Sequence, residues 1–298
     1  MAWTARELPD LTGLTAVVTG ANSGIGFHTA RELAAHGAEV VLACRNVDSG
    51  AQAAAKMAGS PRVEQLDLAS QGSVQDFAER WEGPLDLLVN NAGVMTPPKY
   101  RTTEDGHELM FGTNHLGHFA LTGRLLPALL AADAPRVVTV ASVAHHQGNE
   151  KVLEANPEKG YRAQAYYGNS KLANLLFARA LQRRAEAAGS KLTSAGAHPG
   201  VSATELVADP NGMGANPLIR VTAPYFTKVI FQSAAAGANP SLYAATVAEP
   251  GSYTGPTRMG EWRGPIGPAK LSKHARNDDL GDRLWDLSQD LTGVSYTF

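Results

Sequence analysis

An α/β fold, a doubly wound parallel sheet with helices on both faces closing as a single domain, is what this 298-residue sequence predicts. Three observations carry it. Short, near-continuous apolar strands alternate with helical stretches; the first strand runs into a glycine-rich turn and then a helix; and apolar residues make up 44% against 18% charged, an ordinary globular composition.

Leu14-Thr-Ala-Val-Val-Thr19 is a β-branched run that reads as the first strand. Gly20, Gly24 and Gly26 follow, and a helix extends to His36, where Gly37 suits the helix-ending position of positive φ. Glu39 to Ala43 restarts as a buried strand, and a helix covers Val47 to Met57. A strand at Val63 to Leu68 leads to a helix capped by Ser70, with Val74, Phe77 and Trp81 on one face. Strands at Leu85 to Val89, Arg136 to Ala141 and Leu192 to Ala197 complete six, the last two each after a long helical stretch, 107–131 and 164–188. Ser202 to Asn239 breaks the rhythm by mixing Pro, Gly and Asn with Leu218, Tyr225 and Phe231, and reads as a flap on the substrate side. A terminal helix spans 277–293, with Gly293 as its stop. The core of the domain is then 14–200.

The bulk properties exclude several classes. A net charge of −2 and a pI near 6.5 provide no basic surplus for a nucleic-acid backbone. The longest apolar runs, such as Leu125 to Ala132, fall short of the roughly 20 residues of a membrane span. The N-terminus MAWTARELPDL lacks the basic start and apolar stretch of an export signal, so the expected location is the cytoplasm. Cys44, the single cysteine, reads as an inert buried thiol. No cysteine cluster or His-x-x-x-His pair suggests a metal.

In a doubly wound sheet, ligands bind beyond the carboxyl ends of the strands. Gly20, Arg45, Asp67, Asn90, Ser142 and His198 stand there. The turn Thr19-Gly20-Ala21-Asn22-Ser23-Gly24-Ile25-Gly26 lets backbone approach a pyrophosphate closely, and the helix that follows offers free amide groups and a positive dipole end. Its spacing departs from G-x-G-x-x-G, yet the strand-to-helix context marks it as a dinucleotide site. After the second strand, where an acid would hold both ribose hydroxyls of NAD, the chain has Cys44 and Arg45. A guanidinium there suits a 2′-phosphate, so NADP(H) is the expected cofactor.

Tyr167 and Lys171 are four residues apart at the start of a helix and share one face, whereas Tyr166 lies about 100° away and reads as packing or pocket lining. A neighbouring ammonium, together with the positive nicotinamide of the oxidised cofactor, favours a phenolate, so the Tyr167 pKa is expected to fall from about 10.

These motifs occur in one order: Thr19-Gly20-xxx-Gly24-x-Gly26, Asp67-Leu68, Asn90-Asn91-Ala92-Gly93, Asn114, Ser142, Tyr167-xxx-Lys171 and Pro199-Gly200. Over residues 14–204 the chain resembles the short-chain dehydrogenase/reductase family, which has a Rossmann-like fold. The resemblance implies that Tyr167 is the general acid, that Ser142 orients the substrate oxygen, and that Lys171 tunes the tyrosine and holds the nicotinamide ribose. It implies a supporting part for Asn114 in a water-mediated relay to the lysine. Asp67 and Leu68 would contact adenine, and Asn90, Ala92 and Gly93 would line the adenosine side. Gly20, Asn22, Ser23, Gly24, Ile25 and Gly26 would cradle the phosphates. Pro199, Gly200, Ser202 and Thr204 would read the carboxamide, with Ser202 in a slot usually aliphatic.

Between Ser142 and Tyr167 lie 24 residues, including His145-His146-Gln147. With Ala43-Cys44-Arg45-Asn46 and His198-Pro199-Gly200, this long connection resembles the retinol dehydrogenase and protochlorophyllide reductase-like branch. The two histidines read either as pocket lining or as solvent-facing loop residues. The expected function is NADP(H)-dependent interconversion of a carbonyl and an alcohol on a small lipophilic substrate. Reduction of a C=C bond and a non-catalytic NADPH-binding regulator stand as alternatives. The two long helices could pair subunits into a homo-oligomer or pack within one subunit.

Overall fold

The computed structural model describes residues 3–156, 158–200 and 232–298. Its first strand, β1 (Thr15–Thr19), has valines at positions 17 and 18 that point to opposite faces and are both fully buried. The same holds for Val41 and Leu42 of β2 (Glu39–Cys44) and for Leu88 and Val89 of β4 (Leu87–Asn90). A strand apolar on both sides belongs inside a sheet covered twice, and that is where the chain puts it.

With β3 (Arg62–Gln65), β5 (Arg136–Val140), β6 (Thr193–Ala197), β7 (Tyr253–Arg258) and β8 (Arg263–Pro268), the sheet has the order β3-β2-β1-β4-β5-β6-β7-β8. All pairings are parallel except β7 with β8. The order reverses between β1 and β4, which opens the crevice beyond their carboxyl ends.

One face packs on α1 (Gly24–Ala35) through Ala30 and Leu33 and on α8 (Ala234–Thr246) through Ala238 and Leu242. The other packs on α3 (Gln71–Glu79), on α5 (Gly117–Arg124) and on α7 (Ala163–Ala187), with Phe77, Phe119, Phe177 and Leu181 at its centre. Short helices α2 (Val47–Ala54), α4 (Leu109–Phe111) and α6 (Leu126–Leu130) fill the crossovers, and α9 (Asp278–Thr292) lies on α7. Asn277 caps α9 and Gly293, at φ 67°, ends it.

Four details depart from the sequence reading. Trp81 lies beyond α3 and stacks on Phe77 at 6.2 Å. The stretch 107–131 is not one helix, because a π-helical turn at Gly112–Leu116 separates α4 from α5. The flap assigned to 202–239 ends too late, since Ser233 already caps α8; its first part, 202–231, falls outside the described residues. Pro240 inside that helix disguised it, although the helix is held at its far end by the Arg136 guanidinium, which donates to Ala248 O at 2.9 Å. Finally, β7 and β8 were not foreseen.

Among the described residues no helix is long and apolar enough to cross a membrane. Cys44 is 1% exposed, and burial pushes its thiol pKa up, as expected of an inert packing residue.

Candidate active site

A cavity of about 730 Å³ opens at the carboxyl edge, above β1 and β4. The chain enters it from β1 through Gly20, at φ 65°, and Gly24, at φ 57°, a conformation side chains disfavour. Gly26 matters for space: a Cβ there would lie 2.5 Å from both Gly20 O and Asn91 Nδ2. Ser23 precedes α1 without capping it through its side chain, so Gly24, Ile25 and Gly26 bring the uncapped start of a helix to the cavity wall. Opposite, Asn46 caps α2 by accepting from Ser49 N at 2.9 Å, and Asn22 Nδ2 donates to Ser49 Oγ at 3.2 Å, which ties the glycine turn to the loop bearing Arg45. Glycines stripped of side chain, free helix amides and a cavity-lining guanidinium fit the phosphates of a dinucleotide.

The network behind this wall begins at Thr19, which opens the glycine motif and is fully buried. Its hydroxyl oxygen accepts the N–H groups of Asn91 and Ala92, each at 2.9 Å, and it lies 2.9 Å from His118 Nε2. His118 Nδ1 faces the Asn114 carbonyl at 2.9 Å, so the ring's proton sits on Nδ1 and Nε2 receives the threonine hydroxyl. Asn114 uses its side chain on backbone: Oδ1 accepts from Val94 N at 2.7 Å, and Nδ2 donates to Val94 O and to Ser170 Oγ at 3.0 Å each. Ser170 Oγ in turn donates to Tyr167 O at 2.9 Å.

Tyr167 and Lys171 rise from α7 on one face, and Lys171 Nζ stands 5.9 Å from the tyrosine ring centre. Both are nearly buried, at 8% and 5% exposed. Ser142, at the end of β5, caps a short helical turn through Ala144 N and forms a side-chain hydrogen bond with Tyr167. Burial lowers the Lys171 pKa to about 8. It pushes Tyr167 up to about 12, and the Ser142 bond only partly opposes this. Burial thus outweighs the drop expected from the neighbouring ammonium: the phenol is largely cut off from water, while the ammonium spends a hydrogen bond on Val140 O at 3.1 Å.

Of the residues assigned in the sequence, Gly20, Asn22, Ser23, Gly24, Ile25, Gly26, Arg45, Asp67, Leu68, Ala92, Gly93, Ser142, Tyr167, Lys171, Pro199 and Gly200 all line this one cavity. Asn90 does not: it is fully buried and donates to Thr122 Oγ1 at 3.0 Å, and its neighbour Asn91 takes the lining position. Asn114 stands behind the lining; a Cβ on Gly93 would meet its Oδ1 at 3.1 Å and Lys171 Nζ at 3.5 Å. Ser202 and Thr204 lie outside the described residues. His145 is buried, with Nδ1 donating to Ser142 O and Nε2 accepting from Ser272 N, His146 is exposed, and neither lines the cavity. Tyr166 stacks on Tyr161 at 5.3 Å. Lining residues that the sequence reading missed include Met95, Gln147 and Trp262, at loop and hairpin positions whose lack of periodicity carries no signal, and Gln164, in the first turn of α7.

Fold and site together define an NAD(P)-dependent oxidoreductase. The profile of the short chain dehydrogenase family matches residues 14–213, and the chain belongs to that family. It is 40% identical to retinol dehydrogenase 12 of Homo sapiens over 301 residues, covering 98% of this chain and 90% of that protein. To retinol dehydrogenase 13 of Mus musculus it is 39% identical, covering 96% and 85%. Among solved structures, an uncharacterized protein from Mycobacterium paratuberculosis superposes with a TM-score of 0.84 at 40% identity over the whole of both chains. A protein described as an NAD(P) dependent gluconate 5-dehydrogenase from Beutenbergia cavernae, with bound NADP, superposes at 0.61 and 27% identity, covering 80% of this chain and 91% of that one.

Proposed function

We propose that this protein interconverts a carbonyl and an alcohol on a small lipophilic substrate with NADP(H), Tyr167 acting as general acid in reduction and as general base in oxidation. The observation that carries the reading is the meeting of Tyr167, Ser142 and Lys171 in the cavity that the glycine turn also lines. A carbonyl oxygen held between the Ser142 and Tyr167 hydroxyls would receive its proton from Tyr167, whose raised pKa keeps it protonated at neutral pH. Lys171 would hold the nicotinamide ribose, and the bound cofactor would supply the hydride. Val94, Met95, Val143 and Ala144 give the space beside Tyr167 an apolar lining, which suits a lipophilic substrate.

Arg45 supports the choice of NADP(H), since it lines the cavity at the end of β2 where an acid would favour NAD. Ser202 and Thr204 would complete the carboxamide contacts, and a cytoplasmic location completes the proposal. The test is a titration with NADPH and NADH of the wild type and Arg45→Asp, followed by turnover on lipophilic aldehydes and ketones. NADPH binding lost in the variant, with carbonyl-dependent NADPH oxidation, is the expected result. Tyr167→Phe should lower turnover by a factor of about 10² to 10⁴, and near-normal turnover in that variant would remove Tyr167 from its role.

A further inference from the structure

The β7–β8 hairpin has no part in the function described so far, and its tip is unusual. Met259, Gly260 and Glu261 all have positive φ, at 53°, 68° and 69°. For the two side-chain-bearing residues this conformation is unfavourable and persists only where the surroundings impose it. Here Glu261 is the anchor. It is 9% exposed, and its Oε1 accepts from Lys270 N at 2.8 Å while Oε2 lies 3.8 Å from His198 Nε2.

His198 is fully buried at the end of β6, and its Nδ1 accepts the Gly200 N–H at 3.2 Å, so the ring proton is on Nε2, facing the carboxylate. Burial lowers its pKa to about 3, and the contact is that of a neutral N–H turned toward a carboxylate rather than an ion pair. The fold makes room for this ring at Gly255, where a Cβ would stand 1.9 Å from His198 Nε2.

Anchoring Glu261 fixes its neighbour. Trp262 lies against the Pro199-Gly200 turn, where a Cβ on Gly200 would meet the Trp262 carbonyl at 2.4 Å. Trp262 lines the cavity together with Ser142, Tyr167 and Met95, and it is 46% exposed. A large aromatic residue left half uncovered in the cavity that also holds Tyr167 is apolar surface that a ligand would bury.

We infer that Trp262 is a substrate-contacting, specificity-determining residue, an indole wall for the apolar part of the carbonyl substrate, set in place by Glu261 and His198. The inference rests on the carbonyl-reducing reading above and adds the residue that grades substrates by apolar size.

The experiment compares wild type, Trp262→Ala and Trp262→Phe on straight-chain aldehydes from propanal to decanal with NADPH. Trp262→Ala should lower kcat/KM for decanal by roughly tenfold to a hundredfold relative to its effect on propanal, with most of the decanal activity retained in Trp262→Phe. An equal loss on propanal and decanal, or no loss on decanal, would overturn the assignment. If the wild type reduces none of the aldehydes, the reaction reading fails by itself. Indole emission then decides, titrated with decanol in the presence of NADPH: a change seen in the wild type and absent from Trp262→Phe upholds the wall, and identical traces refute it.

Discussion

Lys171 Nζ donates to the backbone carbonyl of Val140 at 3.1 Å, and Asn174 Nδ2 reaches the same carbonyl at 3.0 Å one turn further along α7. The last residue of β5 thus holds the lysine that faces Tyr167. The ammonium is 5% exposed, and burial lowers its pKa from 10.5 to about 8. The fold therefore disfavours the charged form. That penalty is fully present below about 8 and is relieved as pH rises from about 8 toward 10.5, because there the unfolded chain binds more protons. Lys171→Met should raise stability at pH 7 by an amount on the order of 1–3 kcal/mol, while turnover collapses. Urea unfolding of both proteins at pH 7 and pH 10 checks it, and the gap should narrow at the higher pH. The reduction rate of the wild type should decline on its alkaline side as Lys171 loses its proton near pH 8.

Gly26→Ala should abolish dinucleotide binding before it abolishes folding. The added methyl would sit 2.5 Å from Gly20 O and from Asn91 Nδ2, and that amide donates to Thr19 O at 2.8 Å. All three groups belong to the turn or to its support, so the turn must open. Overpacking of this kind costs about 1–3 kcal/mol. The expected outcome is a modest drop in Tm together with loss of the Tm increase that NADPH gives the wild type, read by thermal unfolding with and without the cofactor.

The legible parts of this chain were those whose chemistry repeats locally. Val17-Val18 and Leu88-Val89 announce strands buried on both faces, and the Tyr167 to Lys171 spacing announces a shared helix face. β7 and β8 announce nothing, because Gly255, Pro256, Gly264, Pro265, Gly267 and Pro268 read as turns. Proline is tolerated there since β8 is the edge strand and Pro256 lies beyond the β6 pairing, which ends at Thr254, and Gly255 is required by the His198 ring, a contact between residues 57 apart in sequence. Trp262 and Glu261 were hidden with the hairpin. The Tyr167 pKa was misread for a related reason: a neighbouring charge is visible in sequence, while the burial that outweighs it is a property of the whole fold.

Trp285→Ala should be among the most damaging single substitutions outside the site. The indole is 4% exposed on α9 and packs on Phe119 at 5.1 Å, Phe177 at 5.9 Å and Tyr296 at 4.5 Å, with the Arg184 guanidinium 4.3 Å above it. Through these contacts α9 and the C-terminal residues pack on α5 and α7. Removal of the ring should cost about 3–5 kcal/mol, measured by urea unfolding.

Acid should unfold this protein through its buried histidines. His115, His118, His145 and His198 are at most 1% exposed. Burial lowers their pKa values from 6.5 to about 3, 4, 4 and 3 respectively. Each is neutral in the fold and takes up a proton readily only when unfolded. Between pH 6.5 and about 4 the unfolded chain therefore binds more protons, and stability falls as pH falls, with a limiting slope of about 1.4 kcal/mol per pH unit for each histidine. His118→Phe removes one of the four titrations. It also takes from the Thr19 hydroxyl its nearer partner at 2.9 Å, leaving Val89 O at 3.3 Å, so the variant should start less stable by about 1 kcal/mol. Its stability should then decline less steeply than that of the wild type from pH 6.5 to 4.5, by about one quarter if the four titrate alike. Urea midpoints taken across that range distinguish the outcomes: parallel curves for the two proteins would show that His118 takes no part in the acid transition.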